Sequence, residues 1–442
     1  MKIINGKDFD TYWKTQTIIE EDIKTETAVK KIIAAVQKKG DAAVRKYAGK
    51  FDKSSPQKLE IPLSELQKAY NELKTSNPEL TEALELAAEN LVFFSKKQRE
   101  QFFDFETETQ PGVFTGQKII PVERAAVYAP GGLYPLISSV LMALIPAFTA
   151  GVEEVFFSSP PQEDGLPNKK NLAAAAIAAK SCGVKIDTQN NKFRVFAIGG
   201  AHAIAAFAYG TETVPCADVI AGPGNRFVAA AKRYLYGQVG IDFIAGPSDV
   251  LVISDGSVPK AADLAAADMI AQAEHDPDAR ARALVPNTDL AEQIAAAVEK
   301  RLETLPTAAA ARASFKNGGL IVVYQNREEA ICIANKIAPE HLELQTADND
   351  NWIPYLKNYG SLFIGDLAVE ALGDYSAGIN HTLPTSGSAR FTGGLSVRHF
   401  LKTVTTLRCS PGEGFKKTQK AAEIIARAEG LEGHALSAAC RV

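Results

Sequence analysis

A glutamine and a histidine in the second half of the chain have the spacing of a metal-binding pair. The stretch AQAEHDPD contains Gln272 and His275, three positions apart. Pro259 and Pro277 flank a run of helical periodicity, and proline is tolerated in the first turn of a helix and often follows its end. Residues three apart share one helix face, so the pair could hold a metal ion. The alternative is a polar helix terminus, where the helix dipole favours a histidine.

A second candidate is the pair formed by Glu340 and His341, which directly follows Pro339 in NKIAPEHLEL. If the pair begins a helix, its two side chains point about 100° apart and could flank a substrate. A carboxylate and an imidazole in this arrangement suit acid–base chemistry, in which one activates water and the other moves a proton from an alcohol. The alternative for Glu340 is an acidic first turn that caps a helix.

Two later segments add carboxylates and histidines. GDYSAGINHTLPT contains Asp374 and His381 in a glycine-rich stretch that can bring both to one point, and AEGLEGH ends with Glu429 and His434. A carboxylate with histidines from separate segments is a usual composition of a metal site. The alternatives are an Asx turn beside a surface histidine in the first segment, and tail residues without a function in the second.

The elements that must position these residues alternate between helix and strand patterns. A charged, helical lead-in runs from Thr17 to about Thr109, after which short apolar runs alternate with alanine-rich helices. A second set of the same kind begins after Gly246, and an amphipathic helix over 414–430 closes the chain. This alternation predicts parallel sheets in two α/β layers. From Gly373 onward, a stretch rich in Gly, Ser and Thr is expected to form a site-lining loop.

Three glycine-rich turns follow apolar runs: APGGLYP at 129–135, IGGAHA at 198–203 and AGPGNRF at 221–227. Backbone N–H groups in turns of this kind can contact phosphate or ribose. None of the three has the G-x-G-x-x-G spacing, so they indicate a dinucleotide only weakly. Tight strand-to-helix turns explain the glycines equally well.

Composition sets the outer bounds on function. At 442 residues the chain exceeds what one hydrophobic core usually supports, so more than one domain is expected. Its 48 Lys and Arg against 52 Asp and Glu give no electrostatic reason to expect a nucleic acid or a membrane surface as partner. The five cysteines are odd in number and far apart, which is typical of reduced thiols in a cytoplasmic protein. Neither a signal peptide nor a membrane-spanning apolar stretch is predicted.

The ordered set of motifs resembles histidinol dehydrogenase. The resemblance is carried by AGPGN (221–225), AGPSD (245–249), QAEHDPD, IAPEHLEL, GDYSAGINHTLPT and EGLEGH, together with GDAAVRKYAGKFD (40–52) and VERAAVYAPGG (122–132). It covers nearly the whole chain and is weakest in the first 35 residues. It implies oxidation of L-histidinol to L-histidine, the last step of histidine biosynthesis, by two hydride transfers to NAD through a bound aldehyde.

The resemblance also implies roles for individual residues. One zinc ion per subunit would be held by four side chains that also contact the substrate: Gln272, His275, Asp374 and His434. His341 would contact the substrate and take the alcohol proton, and Glu340 would activate the water that hydrates the aldehyde. Further contacts are implied for the substrate at Ser248, His381 and Glu429, and for NAD at Tyr128, His202 and Asn225. His202 departs from the family, in which many members carry glutamine at that position.

The fold that the resemblance implies is α/β, with two Rossmann-like domains that contain parallel-rich sheets. The expected division is an N-terminal helical arm (1–25), a discontinuous α/β domain (26–127 and 250–395), an NAD-contacting α/β domain (128–249) and a C-terminal dimerisation tail (396–442). The family is a homodimer in which the arm and the helical tail are exchanged. Glu429 and His434 would therefore serve the active site of the other subunit.

Two other functions are open alternatives. A zinc hydrolase would use Glu340 as the base on a metal-bound water and would work without nicotinamide, so it would not need the turns APGG and AGPGN. A metal- or nucleotide-binding protein without activity would have a damaged catalytic pair. Glu340 and His341 are both present, which counts against this second alternative.

Overall fold

The structure is a computed structural model that describes residues 1–16, 23–131, 136–187, 192–244 and 246–441. Strands in this part of the chain form three sheets, called here sheets I, II and III. Some positions named above lie outside the described residues: Thr17, where the helical lead-in was expected to begin, residues 132–135 of APGGLYP, and Ala245 of AGPSD.

The amino-terminal elements are mainly helices with charged outer faces. Asn77 begins the fourth helix by accepting a hydrogen bond from the Leu80 N–H at 3.1 Å, and Pro78 occupies its first turn. In chain order the elements are β1 (Lys2–Asn5), α1 (Phe9–Gln16), α2 (Ile23–Phe51), β2 (Glu60–Ile61), α3 (Leu63–Ser76) and α4 (Pro78–Glu100).

The middle of the chain alternates strands with helices, as the apolar runs predicted. Two antiparallel strands come first, and the alternation then continues to residue 241. The elements are β3 (Phe105–Gln110), β4 (Val113–Pro121), β5 (Arg124–Tyr128), α5 (Ile137–Ala150), β6 (Glu154–Ser159), α6 (Lys169–Ser181), β7 (Phe193–Ala197), α7 (Gly200–Tyr209), β8 (Val219–Ala221), α8 (Arg226–Leu235) and β9 (Gly240–Ile241).

The second alternating set begins at Asp249, close to the predicted start. The elements are β10 (Asp249–Ser254), α9 (Ala261–Ala273), β11 (Arg280–Val285), α10 (Thr288–Leu302), α11 (Ala308–Gly318), β12 (Leu320–Val323), α12 (Arg327–Ile337), β13 (His341–Gln345), β14 (Ser361–Ile364), α13 (Glu370–Tyr375), β15 (Leu401–Cys409), α14 (Glu413–Ala428) and α15 (Glu432–Ala439).

Sheets I and II are the two predicted α/β layers. Sheet I has the order β1-β12-β11-β10-β13-β14 with parallel pairing throughout, and sheet II has the order β2-β7-β6-β5-β8-β9 with only β2 antiparallel. Both faces of each sheet are covered: in β10, Val250 and Val252 belong to one core, and Leu251 and Ile253 to another. Burial on both faces explains why these strands are continuous apolar runs.

The packing differs from the predicted grouping of residues 26–127 with residues 250–395. Helix α2 shares a core with α7 and α8, helices α3 and α4 share one with α5 and α6, and β5 lies inside sheet II. The periodicity of an amphipathic helix shows which of its faces is buried but not which sheet it covers. Helical periodicity therefore could not assign this segment to sheet II.

The two ends of the chain each contribute a strand to a sheet, in addition to the helices expected for an arm and a tail. β1 pairs with β12 as an edge strand of sheet I, and Phe9 of α1 is buried in the adjoining core. β15 pairs with β4 along its whole length in the antiparallel sheet III, whose order is β15-β4-β3, and α14 and α15 follow it. Among the helices of the described ranges, none combines the length and hydropathy needed to cross a membrane.

Candidate active site

Glu340 and His341 lie at the start of a strand, so the expectation that they occupy adjacent helical positions is wrong. Helix α12 ends at Ile337, Ala338 takes a left-handed conformation with φ 51°, and His341 is the first residue of β13. Successive side chains of a strand point to opposite faces, so the two groups still diverge from one backbone position. Both are buried, which removes them from bulk water.

Gln272 on α9 contacts His341. Oε1 of the Gln272 amide lies 3.0 Å from Nδ1 of His341, while the amide Nε2 is buried without a hydrogen-bond partner. The helix ends at Ala273, so Gln272 lies on its last turn and His275 lies just beyond it. The His275 N–H donates to the Gln272 carbonyl at 3.3 Å, which keeps the predicted pair together at this helix end. Glu274 points elsewhere and accepts a hydrogen bond from Thr307.

Helix α13 brings a carboxylate to the other side of the His341 ring. Nε2 of His341 lies 3.4 Å from Oδ1 of Asp374, without a hydrogen bond between them. Nδ1 of His381 lies 2.8 Å from the Asp374 carbonyl, and its Nε2 lies 3.0 Å from Oγ of Ser139 on α5. Because α5 covers sheet II and α13 follows sheet I, His381 connects the two halves of the molecule at this point.

One group of potential metal ligands forms within the described residues, namely His275, Glu370 and Asp374, whose ligand atoms lie within 4.8 Å of one another. Tetrahedral zinc with ligands at about 2.1 Å separates them by about 3.4 Å, so modest side-chain movement would suffice. Glu370 was not predicted. Its signal in the sequence was its position four residues before Asp374, which places both side chains on one face of α13.

The electrostatics of this group favour a cation. Oδ1 of Asp374, Oε2 of Glu370 and Nε2 of Gln272 are buried atoms without hydrogen-bond partners. Burial lowers the pKa of His341, but the nearby carboxylates, chiefly those of Glu370 and Glu340, outweigh it and raise that pKa well above its ordinary value. Burial also raises the pKa of Glu370. The carboxylates around His341 therefore carry more negative charge than one protonated ring can balance, and a bound metal ion would compensate this charge.

The predicted NAD contacts lie at the carboxyl edge of sheet II. Tyr128 ends β5, His202 follows β7 and Asn225 follows β8. The predicted catalytic pair instead lies at the amino edge of sheet I, where His341 begins β13 and Asp249 begins β10. Ligands of doubly wound sheets usually bind at carboxyl ends, so the predicted NAD contacts follow this rule and the predicted catalytic pair does not.

A close backbone approach shapes the turn between β8 and α8. The Tyr128 hydroxyl accepts a hydrogen bond from the Gly200 N–H at 3.2 Å, which joins the turns after β5 and β7. Gly222 has a φ of 115°, and a Cβ there would lie 2.0 Å from the Tyr128 carbonyl oxygen. Only glycine fits this position. Asn225 caps α8 by accepting hydrogen bonds from the N–H groups of Phe227 and Val228.

His202 faces the protein interior. Its side chain is 1% exposed, and its Nε2 lies 3.2 Å from Oδ2 of Asp52, which is also buried. One ring nitrogen is therefore engaged by the carboxylate, and Nδ1 lies beside Gly200. An amide at this position would present its donor and acceptor side by side, whereas the imidazole presents a single remaining nitrogen.

The remaining predicted residues are not part of this group. Ser248 is half-buried just before β10, where its carbonyl accepts a hydrogen bond from the Arg280 N–H at 3.0 Å. Glu429 is exposed at the end of α14, and His434 is exposed on α15. His434 therefore lies outside the set of ligand atoms that one chain brings together.

Comparison with known proteins agrees with the resemblance. A family model for histidinol dehydrogenase matches residues 16–442. Histidinol dehydrogenase of Pseudomonas syringae pv. tomato is 44% identical over 414 residues, covering 93% of this chain and 88% of the relative, and that of Aquifex aeolicus is 44% identical over 430 residues, covering 97% and 94%.

A solved structure supports the same relationship. The crystal structure of histidinol dehydrogenase from Elizabethkingia anophelis matches with a TM-score of 0.86 at 33% identity, covering 96% of this chain and 93% of the other. These matches favour the dehydrogenase over the zinc hydrolase and over a protein without activity. The chain belongs to the histidinol dehydrogenase family.

Proposed function

We propose that this protein is a zinc-dependent histidinol dehydrogenase that oxidises L-histidinol to L-histidine with two molecules of NAD through a bound aldehyde. The observation that carries the proposal is the arrangement around His341, a buried base between Gln272 of α9 and Asp374 of α13. Glu340 precedes it in the chain and points to the other side of the backbone. Two proton-transfer groups at one point suit two successive oxidations.

The metal ligands are Gln272, His275 and Asp374, completed by His434 from a second copy of the chain. The site fits a cation, since Oδ1 of Asp374 and Oε2 of Glu370 are buried acceptors without a partner. The Gln272 oxygen has two lone pairs, so it can accept from Nδ1 of His341 and also face the metal. When bound, zinc supplies a Lewis-acidic template that orients the imidazole and amine of the substrate.

His341 removes the alcohol proton in the first oxidation, once a bound metal ion compensates the carboxylates that outweigh burial and raise the pKa of its ring. Its Nδ1 is held by the Gln272 side chain, which fixes the ring and leaves Nε2 without a hydrogen-bond partner. A base held in one orientation by a second group is the usual design of a proton acceptor. NAD takes the hydride from the carbon that carries this alcohol group. Burial of the ring excludes water from this step.

Glu340 activates the water that adds to the aldehyde before the second hydride transfer. Burial is the main cause that raises the pKa of Glu340 to about 7, while the neighbouring His341 opposes the shift. A carboxyl group with a pKa near neutrality can both accept and return a proton under working conditions. This role is separate from that of His341, because the hydrated aldehyde needs a proton acceptor on the side from which water arrives.

NAD binds at the carboxyl edge of sheet II, at the turns that carry Tyr128, His202 and Asn225. The side chains of Tyr128 and His202 are buried, so direct contact with them would require these turns to open. The support is the Gly222 turn, which approaches the Tyr128 carbonyl so closely that a side chain is excluded. The link from His381 to Ser139 supports this arrangement, because it brings the predicted substrate contact His381 beside the start of α5, the helix that follows β5. A dinucleotide on sheet II can therefore reach a substrate held at the amino edge of sheet I.

The functional unit is a homodimer with shared active sites. Apolar side chains are exposed on the segment that carries the metal ligand Asp374, including Leu367 (84% exposed) and Tyr375 (56%). Leu431 (44%) and Leu436 (55%) are exposed on either side of His434 in the tail. Docking the tail of one copy on this rim would bury both apolar sets and deliver Glu429 and His434 to the site.

Zinc dependence provides the test. Purified protein is expected to reduce NAD when L-histidinol is supplied, to lose this activity on chelation and to regain it on addition of zinc. Zinc binding can be measured independently by titration calorimetry on the chelated protein, with Gln272→Ala as the ligand-deficient variant. Unchanged NADH formation in protein shown to be metal-free would refute the zinc requirement.

A further inference from the structure

Asp249 and Glu340 form a reciprocal pair of hydrogen bonds at the amino ends of neighbouring strands. The Asp249 N–H donates to Oε2 of Glu340 at 3.0 Å, and the Glu340 N–H donates to Oδ1 of Asp249 at 3.1 Å. Strands β10 and β13 pair directly beyond this point, with Val250 opposite His341. The side chain of each acidic residue thus binds the backbone of the other, so neither can rotate without breaking a hydrogen bond.

Arg282 lies behind Asp249. Its Nη1 lies 3.2 Å from Oδ2 of Asp249, and both side chains are buried. The guanidinium group also lies over the ring of Trp13 in α1, 5.2 Å from its centroid. Asp249 therefore uses one oxygen to hold Glu340 and the other to face a buried positive charge. A buried carboxylate is stable only with such partners.

We propose that Asp249 is a positioning residue for Glu340, oriented and charge-balanced by Arg282. The proposal rests on the proposed role of Glu340 in hydrating the aldehyde. The Asp249 N–H engages Oε2, and among the described residues no hydrogen-bond donor engages Oε1. Oε1 is therefore the oxygen to which we assign the contact with the attacking water. A general base needs this fixed geometry, since small displacements of the reacting atoms cost much of the rate.

The pair also adjusts the proton affinity of Glu340. The charged groups that act on it are His341, Asp249 and Asp374, with Arg282 one contact further away. Burial raises the pKa of Glu340 most, the Asp249 carboxylate raises it further, and its hydrogen bond to the Asp249 N–H lowers it. Removing the carboxylate charge while keeping the backbone donor should therefore let Glu340 lose its proton at lower pH.

The experiment separates the two half-reactions. The first NADH formed in a single turnover with L-histidinol reports the alcohol step, and turnover with supplied L-histidinaldehyde reports the step that needs Glu340. Asp249→Ala is expected to lower the rate of the aldehyde step by about tenfold more than that of the alcohol step. Asp249→Asn keeps an acceptor for the Glu340 N–H, so its loss should be smaller, and the acid limb of its aldehyde pH profile should move down by about one pH unit.

Two further variants keep the test decisive. Asp249→Asn leaves Arg282 buried without a counter-charge, so the double variant Asp249→Asn/Arg282→Gln removes both charges. Removing the Arg282 charge opposes the effect of removing the Asp249 charge, but only Asp249 contacts Glu340 directly. The pH profile of the double variant should therefore shift in the same direction as that of Asp249→Asn, by a smaller amount. In a Glu340→Gln background, Asp249→Asn should leave the aldehyde rate unchanged, since both act on one group.

Equal losses in both half-reactions, or an aldehyde pH profile that does not move, would overturn the positioning role. A different result identifies failure of the underlying function. If Glu340→Gln alone impairs the two steps equally, the water-activating role of Glu340 is wrong, and the role of Asp249 falls with it. Thermal melting of every variant shows whether a loss reflects unfolding.

Discussion

Replacing Glu340 with glutamine is expected to stabilise the metal-free protein at alkaline pH. The pKa of Glu340 is about 7 in the folded protein, mainly because of burial, against an ordinary value of 4.5. Because the folded state holds this proton more tightly than the unfolded state, the contribution of Glu340 to stability is full below pH 4.5, falls as the pH rises toward 7 and is lost above it. At about 1.4 kcal/mol per pH unit, the difference corresponds to about 3 kcal/mol. Glutamine is uncharged and can still accept from the Asp249 N–H, so the variant avoids this loss.

Thermal melting of chelated protein at about pH 5 and about pH 8 measures the effect. The melting temperatures of the wild-type protein and Glu340→Gln should be close at the lower pH, and the variant should melt several degrees higher at the upper pH. Glu292→Gln, an exposed position on α10, is the matched control and should show no such difference. A variant that is less stable than the wild-type protein at pH 8 would refute the burial argument.

Other substitutions test the remaining parts of the site. Gly222→Ala places a methyl group against the Tyr128 carbonyl, so KM for NAD should rise by about tenfold or more while zinc affinity is unchanged; an unaltered KM would contradict the turn's role. Gln272→Ala should weaken zinc binding by roughly 100-fold in equilibrium dialysis, whereas Gln272→Glu keeps a ligand oxygen and should still bind zinc. Equal zinc affinities of the wild-type protein and Gln272→Ala would exclude Gln272 as a ligand. Mixing inactive His434→Ala and His341→Asn subunits should restore about a quarter of the activity, because half of the dimers are mixed and each has one intact site; no recovery would mean that sites are not shared.

Much of the fold and site could be predicted from local patterns. The helices and strands of sheets I and II follow apolar runs, and the residues of AQAEHDPD and GDYSAGINHTLPT meet at His341 as the motif order indicated. These motifs predict the site because each lies at the end of a helix or strand whose position is fixed by the parallel sheet. The packing of helices α2, α3 and α4 against sheet II could not be predicted, since it depends on contacts between distant segments.

Other features were missed for identifiable reasons. β3 was read as part of the helical lead-in because both of its faces are largely exposed and FETETQ has no apolar alternation. Glu340 and His341 were placed on a helix because proline often begins one, whereas the left-handed Ala338 turns the chain into β13. Glu370 was not identified because it lies just before the stretch from Gly373 that was expected to be a loop, and only its helical spacing to Asp374 reveals it.

The stoichiometry of the reaction tests the central claim most directly. Zinc-loaded protein is incubated with a limiting amount of L-histidinol and an excess of NAD, and NADH and L-histidine are quantified at completion. We expect two NADH and one L-histidine for each L-histidinol consumed, without release of the aldehyde. One NADH per substrate with free aldehyde as product, or no NADH at all, would contradict it.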